Sequence, residues 1–106
     1  MKVRWTDLAL SRLIEIEAHI ARDDADAAAR LVDHIVDEGE RLGDQPSIGR
    51  VVPELARAAL RELLIGNYRL IYRVRSKTVE ILTVSRDTGS SARAKSSSPR
   101  QTSRSP

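Results

Sequence analysis

The sequence predicts an α+β domain, a helix hairpin packed on a twisted, mainly antiparallel sheet, with a strand leading into the hairpin. Three observations predict it. Lys2 to Trp5 alternates polar and apolar residues. Two helical stripes follow, Ala9, Leu13, Ile16 and Ile20, then Ala28, Leu31, Ile35, Gly39 and Leu42. From Leu60 the apolar period drops to two, in three runs separated by two-residue turns. The predicted order is β-α-α-β-β-β.

In Lys2–Trp5, Val3 and Trp5 share one face of a short strand. Thr6 or Asp7 can then cap a helix. Leu10, Ile14 and Ala21 form a shoulder beside its stripe, an apolar arc wide enough for packing on two sides. Arg22-Asp23-Asp24-Ala25 is a polar break, and Asp24 or Asp26 can cap the second helix. Val32 and Val36 flank that helix's stripe, and Gly43 is expected to end it at C′. A short turn between the helices makes them antiparallel.

Pro46 and Gly49 mark a loop. Val51-Val52-Pro53-Glu54-Leu55 reads as a short edge strand, because Pro cannot donate to a central ladder. Leu60–Ile65, Tyr68–Arg75 and Thr78–Val84 read as three consecutive strands, joined by Gly66-Asn67 and Ser76-Lys77. On the middle strand Tyr68, Leu70, Tyr72 and Val74 share one face, read as core. Arg69, Ile71, Arg73 and Arg75 share the other, which a solvated outer face would equally explain.

Composition limits the chemistry. The chain has 106 residues, one Trp, two Tyr and no Phe, so its core is aliphatic. With no Cys and only His19 and His34, no cofactor, metal or thiol nucleophile is expected. No apolar run reaches the roughly 18 residues of a membrane span, and Met1–Trp5 carries no signal-like stretch, so a cytoplasmic protein is expected. Nothing in the chain suggests a small-molecule substrate. The formal charge is +3, but residues 1–87 hold 14 bases and 15 acids. The excess lies in 88–106, a Ser/Arg/Pro-rich tail with four bases and no acid, read as disordered. Within 1–87, Asp23–Asp44 holds eight acids and Arg50–Arg86 eight bases. One end of the domain is thus acidic and the other favours an anionic partner.

No phosphate-binding glycine loop, zinc-binding helix or nucleophile elbow is present. The distinctive pieces are Pro46-Ser47-Ile48-Gly49-Arg50, Leu60-Arg61-Glu62-Leu63, Tyr68-Arg69-Leu70-Ile71-Tyr72-Arg73-Val74 and Val79-Glu80-Ile81-Leu82-Thr83-Val84. In this order, after a Trp-bearing strand and a helix hairpin, they closely resemble the ParE/RelE toxin superfamily over residues 2–86. Its members are toxins of type II toxin–antitoxin modules, often described as plasmid stabilisation proteins. The resemblance implies a cognate antitoxin, expected as an amphipathic helix laid near Leu10, Ile14, Val32 and Val36. It also makes Arg50, Arg61, Arg69, Arg73 and Arg75 the candidate target-binding residues.

The superfamily divides by target. RelE-like members enter the ribosome and cut mRNA through basic residues and a C-terminal His or Tyr. ParE-like members inhibit DNA gyrase without that set. If this chain were RelE-like, Arg69 and Arg86 would be its catalytic candidates. Yet no His or Tyr follows Tyr72, and Glu62 stands about where some RelE-like members carry Lys. Both a proton acceptor and a ring for base stacking are then missing. The expectation is a ParE-like toxin that inhibits gyrase by binding and has no chemistry of its own. The alternatives are a ribosome-dependent mRNA endonuclease, or a relic of the fold that binds only antitoxin.

Overall fold

The computed structural model describes residues 1–52 and 60–86. The expected Pro53–Leu55 part of the edge strand and the tail at 88–106 lie outside the described residues. The element order is β1 (Lys2–Trp5), α1 (Asp7–Ala21), α2 (Ala25–Arg41), β2 (Arg50–Val51), β3 (Leu60–Ile65), β4 (Tyr68–Arg75) and β5 (Thr78–Arg86). The strands form one sheet in the order β1-β5-β4-β3-β2, with β1 parallel to β5 and every other pair antiparallel. This is the expected α+β architecture. An edge strand is present as Arg50–Val51, sharing only Val51 with the expected Val51–Leu55, and with it four strands follow the hairpin where the β-α-α-β-β-β order has three.

Local chemistry fixes the helix starts. The Thr6 hydroxyl accepts from the Ala9 N–H at 3.2 Å and donates to the Ile81 carbonyl at 2.8 Å, so it caps α1 and ties it to β5. Asp24 caps α2 by accepting from the Ala27 N–H at 3.0 Å. Both helices lie on one face of the sheet. Ala9, Leu13, Ile35 and Leu42 join Ile65, Leu70, Tyr72, Val79, Ile81 and Val84 in the buried core.

Val74, read as core, is 41% exposed although it shares the face of Leu70 and Tyr72, and three further details depart from the sequence reading. Gly43 does not take a left-handed cap: Leu42 closes α2 in right-handed geometry. Gly43 is needed for close approach, since a Cβ there would lie 2.6 Å from the Met1 carbonyl oxygen. Second, β5 is not strictly alternating. Ile71 pairs with Thr83 and Tyr72 with Ile81, so Leu82 is the extra residue of a bulge. The bulge turns Val84 inward, giving buried positions 79, 81 and 84. Third, α1 is packed on its stripe but not on its shoulder: Leu10 and Ile14 remain 45% and 67% exposed.

The Gly39 position makes a testable contact. A Cβ there would meet Trp5 ring carbons at 2.5 and 2.8 Å and Ile81 Cδ1 at 3.0 Å. Trp5 has little room to yield, because its Nε1–H donates to Glu40 at 2.9 Å. Alanine gains up to about 1 kcal/mol of helix propensity, while overpacking costs about 1–3 kcal/mol. Gly39→Ala is therefore expected to destabilise the fold by about 1 kcal/mol, read as a lower urea midpoint. An equal or higher midpoint would show that β1 and α2 separate freely.

Candidate functional site on the outer face of the sheet

The face turned away from the helices is organised by strand register. Residues paired across a ladder share a face, so the pairings set side chains in rows. Lys2, Thr78 and Arg75 form one row, and Arg4, Glu80, Arg73 and Leu60 the next. Thr83, Ile71, Glu62 and Arg50 follow, and Ser85, Arg69 and Leu64 form the last.

Two carboxylates on this face are each gripped by two guanidinium groups. Glu62 accepts from Nε of Arg50 across the ladder and from Nε of Arg69 on the diagonal. Its side chain is only 3% exposed although it faces away from the helices. Glu80 accepts from Arg4 at 2.8 Å and from Arg73 at 2.7 Å. These are charge-assisted bonds in which a planar fork is held in a fixed direction.

Hydrogen bonds from Arg4 and then Arg73 hold the Glu80 carboxyl at about 2, well below its ordinary 4.5. A lowered folded-state value means the network stabilises the fold above the unfolded value and fades as the carboxyl protonates. The stability advantage of the native chain over Glu80→Gln is therefore expected to be intact at neutral pH and to shrink from about pH 5 toward pH 2. Urea midpoints of both proteins between those values check it, and a difference independent of pH would contradict it.

Of the expected target-binding residues, Arg50, Arg69, Arg73 and Arg75 are brought together here. Arg61 is not. It pairs with Tyr72 on the helix side and donates to the Gly49 carbonyl at 2.7 Å. The Pro46–Arg50 loop is held by the same neighbours. The Tyr72 hydroxyl donates to the Pro46 carbonyl at 2.8 Å and accepts from the Gly49 N–H at 2.9 Å. Burial pushes the Tyr72 phenol up, against the opposing pull of the Gly49 N–H and Arg61, so it stays protonated and able to donate. Gly49 is required by proximity: a Cβ would lie 2.6 Å from the Glu62 carbonyl oxygen. This loop delivers Arg50 to Glu62.

Arg69 and Arg86, paired in the catalytic alternative, do not converge. Arg86 pairs with Tyr68 on the helix side. There it lines an open cleft of about 450 Å³ with His19, Asp23, Asp24 and Tyr68, while Arg69 lies on the opposite face. On the helices, Leu10 and Ile14 are exposed, whereas Val32 and Val36 are half-buried and Val36 packs against the core. Among the described residues no three His, Asp or Glu side chains cluster closely enough to hold a metal ion. No helix there is long and apolar enough to cross a membrane.

The sequence reading missed Glu62 and Glu80 as organisers of the face, and Arg4 as a member of it. The two-residue turns gave a usable signal. Ser76-Lys77 sets Arg73 opposite Glu80, and Gly66-Asn67 sets Glu62 one row from Arg69.

A strand, a helix hairpin and a sheet with an arginine-lined outer face make up the architecture that the ParE/RelE resemblance implies. Residues 3–88 match the family model described as the ParE toxin of the type II toxin–antitoxin system, parDE, and the chain belongs to this family. It is 45% identical over 85 residues to a candidate toxin, Y4kP, of Sinorhizobium fredii, a match covering 78% of this chain and 84% of that protein. Among solved structures it resembles the chromosomal ParDE toxin–antitoxin system of P. aeruginosa, with TM-score 0.71 and 24% identity over 81% of this chain and 95% of that one. It also resembles the RelBE2 toxin–antitoxin complex of Mycobacterium tuberculosis, with TM-score 0.60 and 25% identity over 80% and 95% of the two chains.

Proposed function

We propose that this toxin inhibits DNA gyrase by binding, in the cytoplasm, and is silenced by a cognate antitoxin. The observation that carries the reading is Glu62 between Arg50 and Arg69. A nuclease of the RelE type needs surplus positive charge at this place to stabilise a phosphate in its transition state. Here a carboxylate occupies the two guanidiniums, and Arg86 faces away from Arg69. The match to the ParE family over most of the chain supports the same branch. The target meets Arg50, Arg69, Arg73 and Arg75, while Arg61 serves the loop. The antitoxin covers Leu10 and Ile14, the exposed apolar shoulder of α1, with Val32 at its border.

Purified toxin is expected to inhibit gyrase supercoiling of relaxed plasmid, and antitoxin to relieve it. Arg69→Lys keeps the charge but loses the fork, and is expected to weaken inhibition about tenfold, or about 1.4 kcal/mol. No effect on gyrase, with cleavage of mRNA on translating ribosomes, would overturn the reading.

A further inference from the structure

We propose that the outer sheet face recognises an extended, acidic protein segment carrying aliphatic side chains, rather than nucleic acid; this rests on the reading that the face meets the target. Lys2, Arg4, Arg50, Arg69, Arg73 and Arg75 stand on it against Glu62 and Glu80. Its surplus is positive, so its complement is anionic. The carboxylates already held there demonstrate the chemistry these arginines accept.

The rest of the face selects the class of anion. The chain's three aromatic rings, Trp5, Tyr68 and Tyr72, all lie on the helix side, paired with Ile81, Ile65 and Arg61. No ring is left on the outer face to stack a base. Between the charges stand the hydroxyls of Thr78, Thr83 and Ser85 on β5 and, on β3 and β4, an aliphatic strip: Leu64, 48% exposed, with Leu60 and Ile71 half-buried. Phosphate backbones do not use such a strip, whereas Leu, Ile or Val side chains of a protein segment bury against it. Same-face rows are about 7 Å apart along a strand, so four rows span about 20 Å, the reach of an extended segment of about seven residues.

The probe is a fluorescein-labelled peptide repeating Glu-Glu-Leu-Leu, in which successive residues facing the sheet alternate acid and aliphatic. The full chain is titrated and anisotropy is read at low and at physiological salt. Controls are the same peptide with Lys for Glu, and single- and double-stranded DNA of similar length. The acidic peptide is expected to bind, more weakly as salt rises. The Lys2→Glu/Arg75→Glu double variant is expected to lose at least about tenfold in affinity, and Leu64→Ser about threefold. Both sites are exposed, and melting curves verify that the variants fold. Binding of DNA as tight as the peptide, binding of the Lys peptide equally well, or unchanged affinity in the variants would overturn the inference. Gyrase inhibition is measured on the same samples. If the peptide behaves as expected and gyrase is untouched, the assignment of gyrase as target falls while the face keeps its preference for an acidic segment; the reverse pattern removes only this inference.

Discussion

Leu10→Asp with Ile14→Asp is expected to raise the dissociation constant for the cognate antitoxin about a hundredfold, close to 2.7 kcal/mol, while leaving the toxin folded. The two side chains are one helical turn apart and face water in the free toxin, 45% and 67% exposed. A partner helix that covers them gains their burial, about 1–2 kcal/mol each, and must instead desolvate a carboxylate at each position in the variant. Replacement in the free toxin costs little, because neither side chain belongs to the core cluster. Val36 is unsuitable for the same test. It packs against the core, so a charge there would unfold the protein and weaken binding for the wrong reason. Titration calorimetry reads the affinity. An unchanged constant, in a variant with a native melting temperature, would move the antitoxin to another surface.

Most of the fold was legible because its signals are local. Thr6, the helix stripes, Gly66-Asn67 and the alternation in β4 each act within a few residues, and each was readable directly from the sequence. Other features depend on contacts between distant segments. Gly43 resembles a helix cap by sequence, but its role comes from Met1, whose amino group donates to the Gly43 carbonyl at 3.1 Å. The β5 bulge cannot be read from Ile81-Leu82-Thr83-Val84, where strict alternation would bury Thr83. The pairing of Ser76 and Lys77 as a turn was expected, yet both residues take positive φ, 53° and 61°, without a glycine. The tight register between β4 and β5 demands that geometry.

The candidate site divides the same way. Its β4 arginines were visible as one face of a strand. Their carboxylate partners, Glu62 on β3 and Glu80 on β5, lie in the adjoining hairpins, but the second arginine on each carboxylate comes from β2 or β1, and β1 lies far away in sequence. Arg4 meets Glu80 across 76 residues, and Arg50 meets Glu62 through a two-residue strand. The family resemblance also grouped Arg61 with the outer arginines, and no local signal states which face of β3 is buried. Leu60-Arg61-Glu62-Leu63-Leu64-Ile65 puts an aliphatic residue on both faces. Pairing with Tyr72 is what turns Arg61 toward the loop.

Tyr72→Phe is expected to cost about 2–3 kcal/mol, the second large effect. The hydroxyl is buried and makes two bonds, donating to Pro46 and accepting from Gly49. Phenylalanine fits the same space but leaves the Gly49 N–H and the Pro46 carbonyl without that partner. Gly49 is itself buried, so its N–H bears the full desolvation penalty of an unmade bond. In a domain of this size such a loss lowers the melting temperature by roughly 10 °C. A second consequence separates this from simple core damage. The loop leads directly into Arg50, which grips Glu62, so loosening it releases one of that carboxylate's two clamps. Tyr72→Phe and Arg50→Ala should therefore be non-additive in stability: the double variant should lose less than the two single losses combined. Full additivity in a double-mutant cycle would mean that the loop and the arginine face are independent, and that Tyr72 serves the core alone.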